Sequence, residues 1–198
     1  SRSTRQEKLN LEGEKIMSIM DVKFVQGFIR MCNDGWEQGW HERNGGNLSY
    51  RMKEEEVEEV KEYLSLDGEW KEIGTSVPEL AGEFFMVTGS GKYFRNVILD
   101  PEDSICIIEL DEKGENYRIC WGLVNGGRPT SELPSHLMNH EVKKLATNGA
   151  HRGIYHAHTT NVIALTLKIK KLSGNSVQNN FLAGCSKITA SLIEVIFI

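Results

Sequence analysis

The stretch from 131 to 167, SELPSHLMNHEVKKLATNGAHRGIYHAHTTNVIALTL, sets a helix, a strand and a second helix in immediate succession. Thr130 or Ser131 can cap the first helix, and Pro134 falls in its first turn, where a missing N–H costs little. GIYHAH then reads as a strand, and TTNVIALTL opens the next helix. Helices interleaved with strands predict a layered α/β domain.

Toward the N-terminus the same grammar continues. From Asp21, which suits an N-cap, the apolar positions Val22, Val25, Phe28, Ile29, Cys32 and Trp36 follow helical spacing. After the turn-rich HERNGGN, LSYRM alternates like a strand, and EEEVEEVKEYL reads as a short acidic helix with a solvated face. FFMVTG, SICIIEL and YRICWGL read as buried strands, separated by glycines or by Asp/Glu-Lys-Gly turns. Residues 1–20 read as leader- or tag-like and are expected to be disordered, 21–167 as one domain, and 168–198 as an atypical tail. The closing LIEVIFI suits either a last strand or the remnant of an interrupted reading frame.

At 198 residues, with 39% hydrophobic and 26% charged residues, the chain is long enough for one well-filled core. A net charge of -5 argues against nucleic acid or an anionic membrane as partner, while leaving room for a local anion pocket. Cys32, Cys106, Cys120 and Cys185 show no CxxC spacing, so they suggest reduced thiols rather than a zinc ribbon or a redox pair. With no signal-like segment and no apolar run long enough for a bilayer, the expectation is a cytoplasmic protein.

Chemistry concentrates in a few places. His156 and His158 stand two apart on a strand, so both imidazoles face one way, close enough to share a metal; unrelated surface histidines would look the same. Glu132, in the first turn of the preceding helix, suits a proton-transferring carboxylate, although the helix dipole alone also favours an acid there. Glu132, His136 and His140 share one helical face at i, i+4, i+8, an alternative metal site ranked below the strand pair. Two glycine-rich turns, Asn44–Asn47 and Thr88–Lys92, can bring bare backbone to a phosphate; either can equally be a plain hairpin, and TGSGK lacks Walker A spacing.

In order along the chain, GWHERNGGNLS, FFMVTGSGKYFRNV, WGLVNGGRPTSELPSHL and HAHTTNVIALT resemble the class II aldolase and epimerase superfamily, most closely its rhamnulose-1-phosphate aldolase branch. The resemblance spans about Val22 to Leu167. It implies a three-layer α/β/α fold around a central, mainly antiparallel sheet, with its C-terminal part missing here, and a cyclic homotetramer in the complete protein. It also implies a zinc ion held by three histidines and retro-aldol cleavage of L-rhamnulose 1-phosphate to dihydroxyacetone phosphate and L-lactaldehyde. On that pattern Glu132 matches the proton-transferring carboxylate, and His156 and His158 match two zinc ligands. Asn44, Gly45, Asn47, Ser90, Gly91 and Ser131 match groups around the sugar phosphate, with Lys92 as a neighbour. The departure is specific: the family's third zinc histidine lies downstream, yet no histidine follows His158, and only Cys185 and Glu194 could substitute chemically. An inactive fragment is therefore one alternative. A fuculose-phosphate aldolase or ribulose-phosphate 4-epimerase is another, with SELPSH and RNGGN favouring the rhamnulose branch.

Overall fold

A computed structural model describes residues 18–159 and the strand 194–197. The leader, the expected helix TTNVIALTL, Cys185 and most of the tail lie outside the described residues.

The sheet is built from β1 (Asn47–Arg51), β2 (Lys71–Glu72), β3 (Phe84–Thr88), β4 (Ile105–Leu110), β5 (Asn116–Gly122), β6 (Gly153–Ala157) and β7 (Glu194–Phe197). Their spatial order is β2-β5-β4-β3-β1-β6-β7, and every neighbouring pair runs antiparallel. LIEVIFI thus contributes a last strand, paired with β6 in the register Ala157↔Glu194.

Alternation between two buried faces explains the apolar runs FFMV of β3 and ICII of β4. Met86, Ile105 and Ile107 join one buried cluster with Val25, Phe28 and Cys32 of α1 (Lys23–Glu37). Phe85, Val87, Cys106, Ile108 and Leu110 join a second cluster with Leu133 and Leu137 of α5 (Leu133–Ala146). Both faces of the sheet are therefore covered, giving the expected α/β/α layering. Between α1 and α5 lie α2 (Glu54–Val60), α3 (Phe94–Val97) and α4 (Pro101–Ser104). The acidic α2 buries only Val60 and carries its glutamates outward, as a solvated face should.

Two caps differ from expectation. Asp21 does not cap α1, whose N-cap is Val22; its carboxylate instead accepts the Ser18 N–H, closing a capping box on a preceding 3-10 turn. Neither Thr130 nor Ser131 is the N-cap of α5. Glu132 holds that position, outside the helix proper, because the Thr130 hydroxyl already accepts the Glu132 N–H at 3.3 Å and its carbonyl accepts that of Leu133. At its other end α5 is tied down by Lys144, which reaches Glu83 at 2.6 Å, and Glu83 in turn pairs with Arg51 of β1 at 3.1 Å.

Candidate active site

One end of the sheet gathers the functional candidates. Asn47 opens β1 and lies opposite His156 near the end of β6. Thr88 ends β3 beside them, its hydroxyl accepting the Leu48 N–H at 3.0 Å. The Thr130 N–H bonds the Thr88 carbonyl and the Ser90 N–H bonds the Arg128 carbonyl, both at 2.8–2.9 Å, so the segment entering α5 is stitched to the loop after β3. Asn44–Asn47, Ser90, Gly91, Ser131, Glu132, His156 and His158 consequently arise at a single edge, although they are up to 114 positions apart in sequence.

Strand parity sorts the side chains. Leu48, Tyr155 and Ala157 point into the α1 cluster, so Asn47, Ser49 and His156 face the α5 layer. Glu132 meets them there: its Oε2 lies 2.7 Å from His156 Nδ1. His156 is buried while the Glu132 side chain keeps 41% of its surface open, so the carboxylate joins the pocket wall to solvent. The His156 N–H above all, against the opposing effect of burial, holds the Glu132 carboxyl below its ordinary value; the nearby Asn47 amide acts in the same direction.

With Nδ1–H donated to Glu132, His156 presents a bare Nε2, and this atom sits 3.2 Å from Nε2 of His158. A tetrahedral zinc about 2.0–2.1 Å from each nitrogen would separate them by roughly 3.3 Å. A carboxylate behind a histidine is also the usual way to fix the tautomer a metal needs. The two histidines therefore fit as two ligands of such an ion. Among the described residues no group of three or more His, Cys, Asp or Glu side chains is arranged to hold a metal. Burial, then the neighbouring His156, lowers the pKa of His158, keeping it neutral and able to ligate.

The glycine turn Asn44–Asn47 is packed onto this pair. A Cβ on Gly45 would stand 3.0 Å from His158 Nδ1, and one on Gly46, whose φ is +82°, would stand 2.6 Å from the His156 carbonyl oxygen. Only glycine lets the loop lie this close with this backbone. Asn44 is exposed beside it, Gly45 half-buried, and Ser90, Gly91 and Ser131 also reach solvent. Lys92 is otherwise engaged: its ammonium lies 2.5 Å from Asp103 Oδ2.

Three features escaped sequence reasoning. His41 is buried, with Nδ1 donating to the Gly45 carbonyl at 2.9 Å and Nε2 accepting the Tyr155 hydroxyl at 2.5 Å; burial lowers its pKa to about 4. It therefore props the glycine turn and is not a third ligand, since both ring nitrogens are used. Asn47 turns inward, its Oδ1 bonded to His136, and its amide helps lower the pKa of the neighbouring Glu132. The proposed second metal site on α5 is corrected: His136 spends both nitrogens on Asn47 and Ser49, and His140 spends Nε2 on Ser49, all in a dry interior. No motif or spacing signals these contacts; only the α5 periodicity, which aligned Glu132, His136 and His140, hinted at the last.

The Class II Aldolase and Adducin N-terminal domain family matches residues 26–190. The chain is 48% identical over 151 residues to the rhamnulose-1-phosphate aldolase of Mannheimia succiniciproducens, covering 76% of this chain and 56% of that protein. It is 42% identical over 161 residues to the rhamnulose-1-phosphate aldolase of Yersinia pestis, covering 81% of this chain and 58% of that protein. The chain thus spans little more than half the length of these relatives. A sugar-phosphate aldolase from Thermotoga maritima has the same fold, with a TM-score of 0.59 and 26% identity over 77% of this chain and 64% of that one. By sequence and by fold alike, the chain belongs to the class II aldolase and adducin N-terminal domain family.

Proposed function

We propose that this chain supplies the proton-transfer and part of the metal-binding apparatus of a zinc-dependent L-rhamnulose-1-phosphate aldolase, producing dihydroxyacetone phosphate and L-lactaldehyde. The observation that carries this reading is the Glu132–His156–His158 arrangement, a half-open carboxylate 2.7 Å from one of two converging imidazoles. His156 and His158 would hold the ion. When bound, zinc supplies Lewis-acid polarisation of the substrate carbonyl.

The chain's own groups do the rest. The Asn44 amide of the glycine turn, the Ser90 and Ser131 hydroxyls and the Gly91 N–H offer donors to the ester phosphate, the Gly45 N–H being held by the Glu42 carbonyl. Glu132, kept ionised by its hydrogen bonds, carries a proton to or from C3 of the three-carbon fragment as the C3–C4 bond opens or closes. The proposed assembly is a homotetramer acting in the cytoplasm on a sugar phosphate alone, without nucleic acid or membrane. Among the described residues no helix is long and apolar enough to cross a membrane.

The test incubates the zinc-loaded full chain with L-rhamnulose 1-phosphate and follows dihydroxyacetone phosphate, with fuculose 1-phosphate and ribulose 5-phosphate alongside. Release that is specific to the rhamnulose ester, removed by a chelator and lost in Glu132→Ala is the expected result. Chelator-insensitive release would sink the mechanism. A second reading, an inactive fragment that at most binds a sugar phosphate weakly, is favoured by the two-donor metal site among the described residues; tight binding of one zinc equivalent followed by turnover would reject it.

A further inference from the structure

Behind Glu132 runs a file of polar side chains that proton transfer and metal binding do not use. Asn47 stands beside the Glu132 carboxylate and helps lower its pKa, Asn47 Oδ1 bonds His136 Nε2, His136 Nδ1 lies 2.6 Å from Ser49 Oγ, and Ser49 Oγ lies 2.8 Å from His140 Nε2. Relative exposures are 6% for Asn47, 0% for Ser49, 2% for His136 and 0% for His140, so water cannot stand in for any link. We propose that His136, Ser49 and His140 are positioning residues, a directional hydrogen-bond chain that holds Asn47, and through it Glu132, in the orientation that grips His156.

The direction follows from donor counting. A carboxylate only accepts, so Asn47 must turn its NH₂ to Glu132 and its oxygen to His136. His136 then carries its proton on Nε2 and accepts at Nδ1 from the Ser49 hydroxyl. The remaining Ser49 lone pair accepts Nε2–H of His140, leaving His140 Nδ1 as a bare acceptor, and that atom has no partner among the described residues. Reversing any one link sets two donors or two acceptors against each other along the whole file, and the reversed file would aim the Asn47 oxygen at the Glu132 charge. Burial agrees: it lowers the pKa of His136 to about 4 and that of His140 well below the ordinary histidine value, keeping both rings neutral.

Stability alone gives no reason for such a file, because well-packed apolar side chains of similar size at these places would be as good or better. What a buried network whose links all run one way supplies is a single geometry. Four of its members come from β1 and α5, and α5 is itself anchored through Leu133 and Leu137 on Phe85, Val87, Cys106 and Ile108 of β3 and β4, so the file transmits the rigidity of the core to a half-open carboxylate.

The inference rests on Glu132 being the proton carrier, and the test separates the two claims. The full chain, labelled with ¹⁵N-histidine, is examined by long-range ¹H–¹⁵N NMR at neutral pH. His136 and His140 are expected as neutral Nε2–H tautomers, and the His156 Nδ1–H as a protected proton held by Glu132. In Ser49→Ala that proton should broaden into exchange with water. If Ser49→Ala fails to fold, His136→Leu takes its place, and His136→Gln, which keeps a donor toward Asn47, should retain the protected proton. An Nδ1–H or charged His136 in the wild type, or a His156 proton unmoved in Ser49→Ala and His136→Leu, overturns the proposal. Turnover adds the second arm: Ser49→Ala should lower kcat roughly five- to tenfold, about the worth of one hydrogen bond, with KM nearly constant. Turnover that survives Glu132→Ala overturns the proton-carrier reading, and with it the purpose of the file, even where the tautomers are as expected.

Discussion

Gly46→Ala tests whether the glycine turn is welded to the histidine strand as described. Gly46 has φ +82°, a region that costs an L-residue about 1–2 kcal/mol. Its new methyl would also overlap the His41 ring and stand 2.6 Å from the His156 carbonyl oxygen. Neither neighbour can retreat cheaply, since His156 is paired with Asn47 across the sheet and His41 is held through both ring nitrogens. Overpacking of this kind costs a further 1–3 kcal/mol or so. Gly39→Ala is the matched control: φ is +71°, but nothing lies within 4 Å of its Cβ, so it carries the backbone cost alone. For a chain of this size, ~1 kcal/mol moves Tm by about 2–4 °C. The two variants, followed by circular dichroism during heating, should therefore differ by roughly 2–12 °C, with Gly46→Ala the lower. Gly46→Ala should also bind zinc more weakly, because relief of the overlap displaces His156. Equal melting points for the two variants would refute the close packing of turn on strand.

Removing His158 should reduce zinc affinity more than a hundredfold in a competition assay with a chromogenic chelator, while Glu132→Gln, which touches the ion only through His156, should cost about 10–100-fold. Equal effects would mean that the two imidazoles do not act as direct ligands. Stability should also depend on pH through His136: its folded pKa of about 4 lies below the unfolded value of about 6.5, so the unfolded chain takes up the proton first. This contribution is complete above pH ~6.5 and is lost as pH falls toward 4, on the order of 3 kcal/mol in all. Urea titrations of wild type and His136→Gln should show a shallower fall in the variant over that window, and parallel curves would exclude a neutral, buried His136.

The sheet could be read from the sequence because its signals are local. FFMVTG and SICIIEL carry the apolar runs FFMV and ICII, and in the structure alternate residues do feed separate clusters on the two faces. The α1 pattern of Val25, Phe28 and Cys32 likewise survives, since a stripe at helical spacing has few other ways to be buried. The caps were misjudged at Asp21 and Thr130 for a common reason. A polar side chain near a helix start can serve any of several N–H groups within three residues, and the choice depends on the turn that precedes it. Strand order is not local at all. That β1 lies between β3 and β6, and so brings Asn47 to His156, follows from packing over a hundred residues apart.

The same distinction divides the site. His156 and His158 were legible because a period of two fixes their common face whatever surrounds them. Glu132 was legible as a candidate, but not the direction of its pKa, which burial pushes up and the His156 N–H pushes down more strongly. His41, Ser49 and the inward turn of Asn47 left no trace, because each is defined by a partner far along the chain: Tyr155, His136 and Glu132. Residues of this kind make the arrangement specific. Among the described residues two imidazole nitrogens converge, but the groups that decide where those nitrogens and the carboxylate point include His41, Asn47, Ser49 and His136, all of them buried. A motif therefore reports which chemistry a site can attempt, whereas the buried partners of its motif residues decide whether the attacking geometry is held.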